Sequence, residues 1–370
     1  MRASVLVNNY NYGRFLGEAI ESALAQSHRD TEVIVVDDGS TDHSRAVIAG
    51  FGGRVQAVFQ PNAGQGSAFN AGYALATGDV IVFLDADDVL LETAVAAAVS
   101  LTADERVVHV QWPVVEVDAD GRATGGTLPD GPLPDGSVLA ELISDGPLQW
   151  GTTPSCSAHG WPRRYLERVM PVPEAEFRMC AEAYLVALAP LHGELRAARE
   201  PHSHYRRHGE NHWADSFDEM LAKNLDVAAK LMPYVVARAG EMGIAVRPEQ
   251  WRERGWEFML KRFLEALDAI VGRETPFVLI DGAKLALDST CGRAVVPFKE
   301  REGEYWGPPD DDDDAIAELE RQRRGGAHYL VLAWPSFWWA EEYPRFVVHV
   351  RRTYPCVVEN DELVAFDLRR

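Results

Sequence analysis

The sequence predicts an α/β fold built on a doubly wound, mainly parallel sheet. Short apolar runs rich in β-branched residues recur near the start of the chain, at residues 5–7, 33–36 and 80–84. Runs of this kind are typical of strands that are buried on both faces of a sheet. Each run is followed by a helical pattern, and strands that alternate with helices form βαβ units and hence a parallel sheet.

Each of these predicted strands ends in polar or acidic residues. The three strand ends occupy residues 8–11 (Asn-Asn-Tyr-Asn), 37–40 (Asp-Asp-Gly-Ser) and 85–88 (Asp-Ala-Asp-Asp). Ligands of open α/β sheets bind beyond the carboxyl ends of the strands, so these ends are expected in one crevice. Several carboxylates in one crevice are costly unless a hard divalent cation neutralises them. The sequence therefore predicts a Mg²⁺ or Mn²⁺ site that holds a diphosphate.

Further elements are predicted along the chain. Helical spacing of apolar residues predicts helices over 16–26, 67–77 and 92–101. Residues 107–117 change to a pattern of paired strands, and the Asp-Ala-Asp-Gly sequence at 118–121 predicts a hairpin-like turn. Residues 125–136, rich in Gly, Pro and Asp, predict a loop, and helical signals return at 137–144 and 180–192.

Three regions are expected along the chain. Residues 1–215 form the first α/β domain, and residues 216–273 form a helical connector, with long helices over 220–239 and 248–271. From 274 to 370 strands and helices alternate again on a smaller scale, which predicts a small C-terminal α/β domain.

Composition excludes several functional classes. The chain has 370 residues and a net charge of -21, which argues against nucleic acid as a partner and against an anionic membrane surface. Its four cysteines show no C-x-x-C spacing, so no zinc site or disulfide framework is indicated. The first strand follows Met1 closely, and the apolar run 329–340 is too short for a bilayer of about 30 Å. We expect a cytoplasmic protein with no transmembrane segment.

The alternating carboxylates Asp85 and Asp87 carry the clearest chemical signal. At a strand end, one carboxylate can reach a metal while the other addresses ribose or a metal-bound water. The alternative is a solvated turn in which Asp88 caps the next helix. The position directly after an apolar strand, in register with the acidic end of the second strand, favours the metal site.

Other polar residues at the strand ends suit a nucleotide. Asp38 can accept a hydrogen bond from a base N–H or a ribose hydroxyl, while Asn8 and Tyr10 can line the base pocket, Tyr10 by stacking. Their alternative role is to satisfy backbone groups at the strand ends. Residues 62–72 form a Gly-rich entry to a helix, in which Asn70 can face the nucleotide and Gly72 allows close approach of helix and sheet.

Taken together, these segments resemble the family 2 glycosyltransferases, which have the GT-A fold. The residues that carry the resemblance are 8–11, 19–27, 35–42, 62–72 and 78–88. The resemblance implies a nucleotide-diphosphate sugar donor, with a UDP-sugar favoured, and inversion at the anomeric carbon. It places Asp38 at the base, and Asp85 and Asp87 at the ribose and the metal.

The later motifs of that family match in part. Its general base is usually an Asp at the start of a helix beside the acceptor, and the similar tract 177–185 offers Glu182. The longer Glu side chain moves the carboxylate by about 1 Å, a shift that can be costly in rate; Glu174 and Glu176 are possible substitutes, and a helix-surface carboxylate is the alternative.

Residues 205–208 (Tyr-Arg-Arg-His) resemble the family's Tyr-Arg-x-His segment. The resemblance implies that Arg206 meets the diphosphate and that His208 completes the metal shell. By the same resemblance residues 150–157 line the acceptor side. Trp150 and Trp161 either stack on a sugar or lie in the core.

The C-terminal region is similar to an α/β module appended to bacterial glycosyltransferases. Residues 305–309 and the Trp-rich run 332–339 carry this similarity. The Trp-rich run suits either a carbohydrate-binding or protein-binding surface or a packed core. The five aspartates at 310–314 are best explained as a solvated helix N-terminus.

These observations predict a metal-dependent inverting glycosyltransferase of the hexosyltransferase class. Its acceptor is expected to be a sugar or glycan hydroxyl, in the synthesis of a cell-surface or secreted polysaccharide. The alternative is a non-catalytic nucleotide-sugar-binding or scaffold protein, which the Glu at position 182 motivates. A sugar nucleotidyltransferase is disfavoured because residues 8–13 are not a Gly-rich, Arg-bearing loop.

Overall fold

The computed structural model describes residues 1–149, 155–209, 211, 216–285, 287, 291–302 and 304–369. The chain divides into two compact units. The first comprises Met1–Ala214 and Asp226–Trp251, and the second comprises Asp215–Leu225 and Arg252–Arg370.

Both units combine strands with helices. The strands are β1 (Ala3–Asn9), β2 (Thr31–Asp37), β3 (Gln56–Phe59), β4 (Val80–Asp85), β5 (Val89–Leu90), β6 (Val107–Gln111), β7 (Val114–Val117), β8 (Ala123–Leu128), β9 (His159–Pro162), β10 (Glu194–Ala197), β11 (Ser203–Arg206), β12 (Phe277–Ile280), β13 (Val295–Pro297), β14 (Glu300–Arg301), β15 (Glu304–Tyr305), β16 (Tyr329–Ala333), β17 (Cys356–Glu359) and β18 (Leu363–Asp367). The helices are α1 (Gly13–Leu24), α2 (Ser44–Phe51), α3 (Gln65–Leu75), α4 (Ala94–Leu101), α5 (Leu139–Asp145), α6 (Arg163–Val169), α7 (Ala181–Leu188), α8 (Phe217–Glu241), α9 (Pro248–Arg254), α10 (Trp256–Asp268), α11 (Asp312–Arg324), α12 (Trp339–Glu342) and α13 (Pro344–Thr353).

A seven-stranded sheet in the order β10-β6-β9-β4-β1-β2-β3 forms the centre of the first unit. All neighbouring pairs are parallel except those of β9, which runs antiparallel to β4 and β6. The predicted α/β fold with a doubly wound, mixed sheet is therefore confirmed. The register places Asn8 opposite Asp85 and Asn9 opposite Asp37, so the three polar strand ends meet at one edge, as expected from the carboxyl ends of parallel strands.

The apolar runs that predicted these strands form the core of the first unit. Val5, Val35 and Val82 are buried on the central strands, and helices cover the sheet. Each fully buried Val or Leu contributes roughly 1.5–3 kcal/mol to folding. Helix α3 approaches the sheet closely because Gly72 has no side chain: a Cβ there would lie 3.3 Å from Val36 Cγ2.

Of the two tryptophans predicted either to stack on a sugar or to lie in the core, the structure describes Trp161. Trp161 on β9 is fully buried, and its ring stacks on that of His109 with the ring centroids 4.3 Å apart. Of the two alternatives for Trp161, the structure therefore supports the core. Trp150 lies outside the described residues.

A four-stranded sheet in the order β5-β11-β7-β8 adjoins the main elements of the first unit. The predicted turn at 118–121 connects β7 and β8, and its Gly121 N–H donates to the carbonyl oxygen of Asp118 at 3.0 Å. The prediction of a loop from 125 was wrong in its first part, because β8 continues to Leu128.

The second unit has a five-stranded sheet in the order β13-β12-β16-β18-β17. Strands β12, β13 and β16 are parallel, and β18 runs antiparallel to β16 and β17. The helix predicted over 248–271 is broken, because Gly255 adopts a non-helical conformation between α9 and α10. The helices of the expected connector are shared between the two units rather than grouped by themselves. In the part of the chain that the structure describes, no helix has both the length and the apolar character to cross a membrane.

Candidate functional site

The acidic end of β4 is the centre of the candidate site. Asp85 is the last residue of β4, and the Asp88 N–H donates to the Asp85 carbonyl oxygen at 3.1 Å, so the chain turns sharply there. Burial, and then the charge of Asp87, raise the pKa of Asp85 to about 6. Burial and the charges of Asp87 and Asp85 also raise the pKa of Asp88 well above its usual range. The carboxylates therefore destabilise one another in their charged forms.

Asp88 is the structural member of this group. Its side chain is buried, with one oxygen accepting from the Ser155 hydroxyl at 2.9 Å and the other from the Arg206 N–H at 3.0 Å. The sequence suggested Asp88 as a helix N-cap, but no helix begins there: β5 follows at Val89. Asp88 instead joins the end of β4 to β11.

Asp85 is held by two amide side chains. Asn8 Nδ2 donates to Asp85 Oδ1 at 2.6 Å, and Gln65 Nε2 donates to the same oxygen at 3.1 Å. Gln65 also accepts, through Oε1, a hydrogen bond from the Ala181 N–H at 2.9 Å. Gln65 therefore links the acidic strand end to the start of α7. No signal in the sequence pointed to this role, although Gln65 is the first residue of the helix that follows the Gly-rich segment.

Glu182 lies in the first turn of α7. Its Oε2 atom is buried and has no hydrogen-bond partner among the described residues. Burial, and then the charge of Asp85, raise the pKa of Glu182 to about 8. A carboxylate with a raised pKa and a free oxygen has the properties of a general base. Glu182 follows Ala181, whose N–H is joined to Asp85 through Gln65, while the role of Glu182 as the base stays a prediction.

Asp87 and His208 meet although they lie 121 residues apart in the sequence. His208 Nε2 is 3.0 Å from Asp87 Oδ2, and the imidazole is fully buried against the rings of Tyr12 and Phe15. The His208 N–H donates to Asn211 Oδ1 at 2.8 Å, which fixes the backbone of this segment. The two residues expected to bind the metal are therefore adjacent, while their role as ligands stays a prediction.

Arg206 is buried, and each of the three nitrogens of its guanidinium group donates a hydrogen bond within the protein. Nε donates to the Asp87 carbonyl oxygen at 2.9 Å, Nη1 to the Ala119 carbonyl oxygen at 3.2 Å, and Nη2 to Glu18 Oε2 at 2.6 Å. The group also lies over the Phe15 ring, 4.9 Å from its centroid. These contacts hold the segment that carries Asp87. Contact of Arg206 with a diphosphate stays a prediction, and the Glu18 partner had no signal in the sequence.

Asp38 has three donors from its own chain. It accepts from Gln60 Nε2 at 2.7 Å, from the Ala63 N–H at 2.9 Å and from the Gly64 N–H at 2.8 Å. The buried carboxylate thereby shapes the loop that leads into α3. This is the backbone-satisfying alternative that the sequence left open, and a contact with the base would use the remaining lone pairs.

The other two predicted nucleotide contacts differ in their surroundings. Tyr10 follows β1 and is 46% exposed, so its ring is available for stacking. Asn70 instead bonds to the segment before α7: its Nδ2 donates to the Val172 carbonyl oxygen at 2.9 Å and to Glu174 Oε1 at 3.0 Å, and its Oδ1 accepts from the Val172 N–H at 2.8 Å. None of these bonds reaches the acidic end of β4, so Asn70 holds the chain that leads to Glu182.

The Gly64→Ala variant is expected to lose several degrees of thermal stability. Gly64 has φ +96°, and an added Cβ would lie 2.6 Å from Arg178 Cα. Such a conformation costs a non-glycine residue about 1–3 kcal/mol even without a clash. Thermal unfolding of both proteins measures the effect, with Gly53→Ala as the control because a Cβ at Gly53 meets nothing within 4 Å. Equal melting temperatures for the two variants would contradict the described loop.

Comparison with known proteins agrees with this architecture. Residues 4–138 match the family model described as glycosyl transferase family 2. An uncharacterized glycosyltransferase of Nostoc sp. is 37% identical over 218 residues, which cover 57% of this chain and 66% of that protein. The glycosyltransferase GlyG of Streptococcus pneumoniae is 40% identical over 93 residues, covering 24% of this chain and 31% of GlyG. The chain thus spans less than two thirds of these relatives.

A crystal structure of TarS from S. aureus has a similar fold. Its TM-score is 0.50 at 17% sequence identity, and the match covers 72% of this chain and 73% of the TarS chain. The sheet order, the acidic end of β4 and the matched family model agree with one another. Residues 4–138 therefore carry a glycosyl transferase family 2 domain, and the first unit has the GT-A fold.

Proposed function

We propose that the first unit transfers a sugar from a nucleotide-diphosphate sugar to an acceptor hydroxyl, with inversion at the anomeric carbon. The observation that carries this proposal is the position of Glu182, whose buried, unpartnered oxygen lies beside the acidic end of β4. A direct displacement needs a base on one side of the anomeric carbon. On the other side it needs a group of carboxylates suited to a metal-bound diphosphate.

In the proposed reaction Glu182 Oε2 removes the proton of the acceptor hydroxyl. The acceptor oxygen forms a bond to the anomeric carbon while the bond from that carbon to the donor diphosphate breaks on the opposite face. The electron pair of the broken bond leaves with the nucleoside diphosphate, and Glu182 retains the proton. Gln65 positions the start of α7, which carries Glu182, relative to the acidic end of β4, because it bonds both Asp85 and the backbone of α7.

The residues at the end of β4 fit a divalent cation. Asp87 Oδ2 and His208 Nε2 are 3.0 Å apart, a spacing that adjacent octahedral ligands at about 2.1 Å also require. Among the described residues there is no group of three or more side chains that could hold a metal, so diphosphate and water oxygens would supply the other positions. A carboxylate and an imidazole suit Mn²⁺ as well as Mg²⁺. When bound, the cation would stabilise the charge of the departing diphosphate.

Residues at the other strand ends are assigned to the nucleotide. We assign Asp85, with Asn8, to the ribose, Tyr10 to stacking on the base, and Asp38 to the shape of the base pocket. From the family resemblance we further propose a UDP-sugar donor and a sugar or glycan acceptor. The same resemblance suggests a cytoplasmic role in cell-surface or secreted glycan synthesis.

A non-catalytic nucleotide-sugar-binding or scaffold protein is the second candidate. The raised pKa of Glu182, about 8, favours it, because this carboxyl is largely protonated near neutral pH in the free protein. Binding without turnover would then be the function of the site.

A thermal-shift panel distinguishes these candidates. We expect one nucleoside diphosphate among UDP, GDP and dTDP to raise the melting temperature, and to do so only with Mn²⁺ or Mg²⁺ present. A ligand at about 100 times its Kd stabilises by about 2.7 kcal/mol. Release of the nucleoside diphosphate from the matching sugar donor then tests catalysis. Binding without release across sugar acceptors would support the scaffold, and a panel with no shift would contradict both candidates.

A further inference from the structure

The Gly-rich loop, residues 62–66, contacts the segment that precedes α7. The Gln65 N–H donates to the Arg178 carbonyl oxygen at 2.7 Å, and the Gly66 N–H donates to the Phe177 carbonyl oxygen at 3.0 Å. The two backbones approach closely because position 66 has no side chain: a Cβ there would lie 2.6 Å from that Phe177 oxygen. The loop and this segment are therefore packed backbone against backbone.

The side chain of Arg178 adds a second connection. Its Nη1 donates to the Ala63 carbonyl oxygen at 2.9 Å, and its Nη2 donates to Asn62 Oδ1 at 2.7 Å. A planar guanidinium group holds two such donors at a fixed spacing, which the compact ammonium group of a lysine does not reproduce. Arg178 thus bonds the Gly-rich loop by its side chain as well as by its backbone.

Asp38 bonds the same loop. Its Oδ1 accepts from the Ala63 N–H at 2.9 Å, and its Oδ2 accepts from the Gly64 N–H at 2.8 Å. Ala63 is therefore shared, because its N–H bonds Asp38 while its carbonyl oxygen bonds Arg178. A single residue connects the carboxylate at the end of β2 to the guanidinium group.

The chain from Arg178 to Glu182 is fixed at two further points. Cys180 has φ +55°, in the left-handed region that residues with a side chain adopt uncommonly. The Ala181 N–H donates to Gln65 Oε1 at 2.9 Å, so the start of α7 is bonded to the residue that begins α3. The placement of Glu182 in the first turn of α7 therefore depends on the Gly-rich loop.

We propose that Arg178 is a positioning residue that couples the nucleotide site to the general base. The inference rests on the proposed function, in which Asp38 shapes the nucleobase pocket and Glu182 removes the proton of the acceptor. A nucleotide that orders the Gly-rich loop at Asp38 also orders, through Arg178, the segment 177–182. Coupling of this kind is reciprocal, so order in that segment also favours the nucleotide.

Hydrogen exchange of the full chain tests the coupling by a readout apart from activity. The probe is UDP, GDP or dTDP with Mn²⁺, whichever raises the melting temperature. In the wild type it should slow exchange both in the Gly-rich loop and in the segment 177–182. In Arg178→Met, which removes the donors of a long side chain, the loop should still be protected, but the segment should lose most of its protection.

Asp38→Asn tests the same coupling without a nucleotide. The Ala63 and Gly64 N–H groups bond different oxygens of Asp38, and an asparagine offers only one acceptor oxygen. In the free variant, exchange should therefore rise in the Gly-rich loop and in the segment 177–182, while exchange in α4 stays unchanged as the internal reference. Faster exchange in the loop alone would overturn the coupling, whether or not a nucleotide binds.

Steady-state kinetics separate positioning from binding. Arg178→Met should lower kcat by up to about 10²-fold, the cost of misplacing a reacting group by about 1 Å, with little change in the KM of the donor. Arg178→Lys should recover only part of the loss, because a lysine does not reproduce both bonds. Arg29→Met, the same substitution at an exposed arginine before β2, should leave both constants as in the wild type.

The outcomes distinguish this inference from the proposed function. Wild-type kcat in Arg178→Met, or nucleotide protection of the segment 177–182 that is equal in this variant and in the wild type, would overturn the role of Arg178. A wild type that binds no nucleoside diphosphate would contradict the proposed function, and the Asp38→Asn exchange would still decide the coupling. If the wild type binds a nucleotide without turnover, the exchange measurements decide alone.

Discussion

Glu182→Gln should abolish sugar transfer and make the free protein more stable at alkaline pH. The amide cannot take the proton of the acceptor, and loss of a general base lowers rates by about 10²–10⁴-fold. The stability effect follows from the pKa of Glu182, which is about 8 in the folded protein against a usual value of 4.5. Between these values the folded state keeps a proton that the unfolded state releases, so stability falls as pH rises. Gln removes this dependence.

Initial rates of nucleoside diphosphate release and melting temperatures from pH 6 to pH 9 measure both effects. Transfer by the wild type should rise with pH as the Glu182 carboxyl loses its proton. Glu167→Gln is the matched control, because Glu167 is an exposed carboxylate on α6 that is not a candidate for the base. Transfer at the wild-type rate in Glu182→Gln would assign the base elsewhere, with Glu174 as the next candidate.

Asp87→Ala should lose transfer, by about 10³-fold or more, while the fold persists. The substitution removes one of the two adjacent side chains proposed as metal ligands, and stabilisation of the leaving group is the largest electrostatic requirement of the reaction. The fold should persist because Asp87 is only partly buried, and the bond from Arg206 goes to its backbone carbonyl, which the variant retains.

Mn²⁺ titration followed by electron paramagnetic resonance provides a readout apart from activity. In the presence of the nucleoside diphosphate, Asp87→Ala should bind Mn²⁺ much more weakly than the wild type. Asp120→Ala, at an exposed aspartate paired with Arg122, should bind normally. Normal transfer and normal Mn²⁺ affinity in Asp87→Ala would remove the metal assignment from this residue.

The sequence was sufficient for the sheet and for the residues gathered at its edge. The period and length of the apolar runs identified β1, β2 and β4, and parallel register alone places Asn8 beside Asp85. The family resemblance also pointed to His208, which the structure places beside Asp87. In these cases local pattern and topology determine position.

The sequence was less informative about which partner each polar group uses. Asp38 and Asn70 are the residue types that bind nucleotides, but their bonds go to the Gly-rich loop and to the segment before α7. Gln65 and Glu18 were missed because their roles depend on distant segments that only the folded chain brings together. The break at Gly255 interrupts a helical pattern that is otherwise continuous in the sequence.

The contacts of Arg206 have a consequence for ligand affinity. This one side chain connects the backbone of Asp87 to Ala119 and to Glu18 on α1. The turn that carries Asp87 is thus preorganised, and little conformational entropy remains to be lost there when a nucleotide arrives. Loss of its Glu18 partner would loosen this anchor and add an ordering cost to the binding of the ligand.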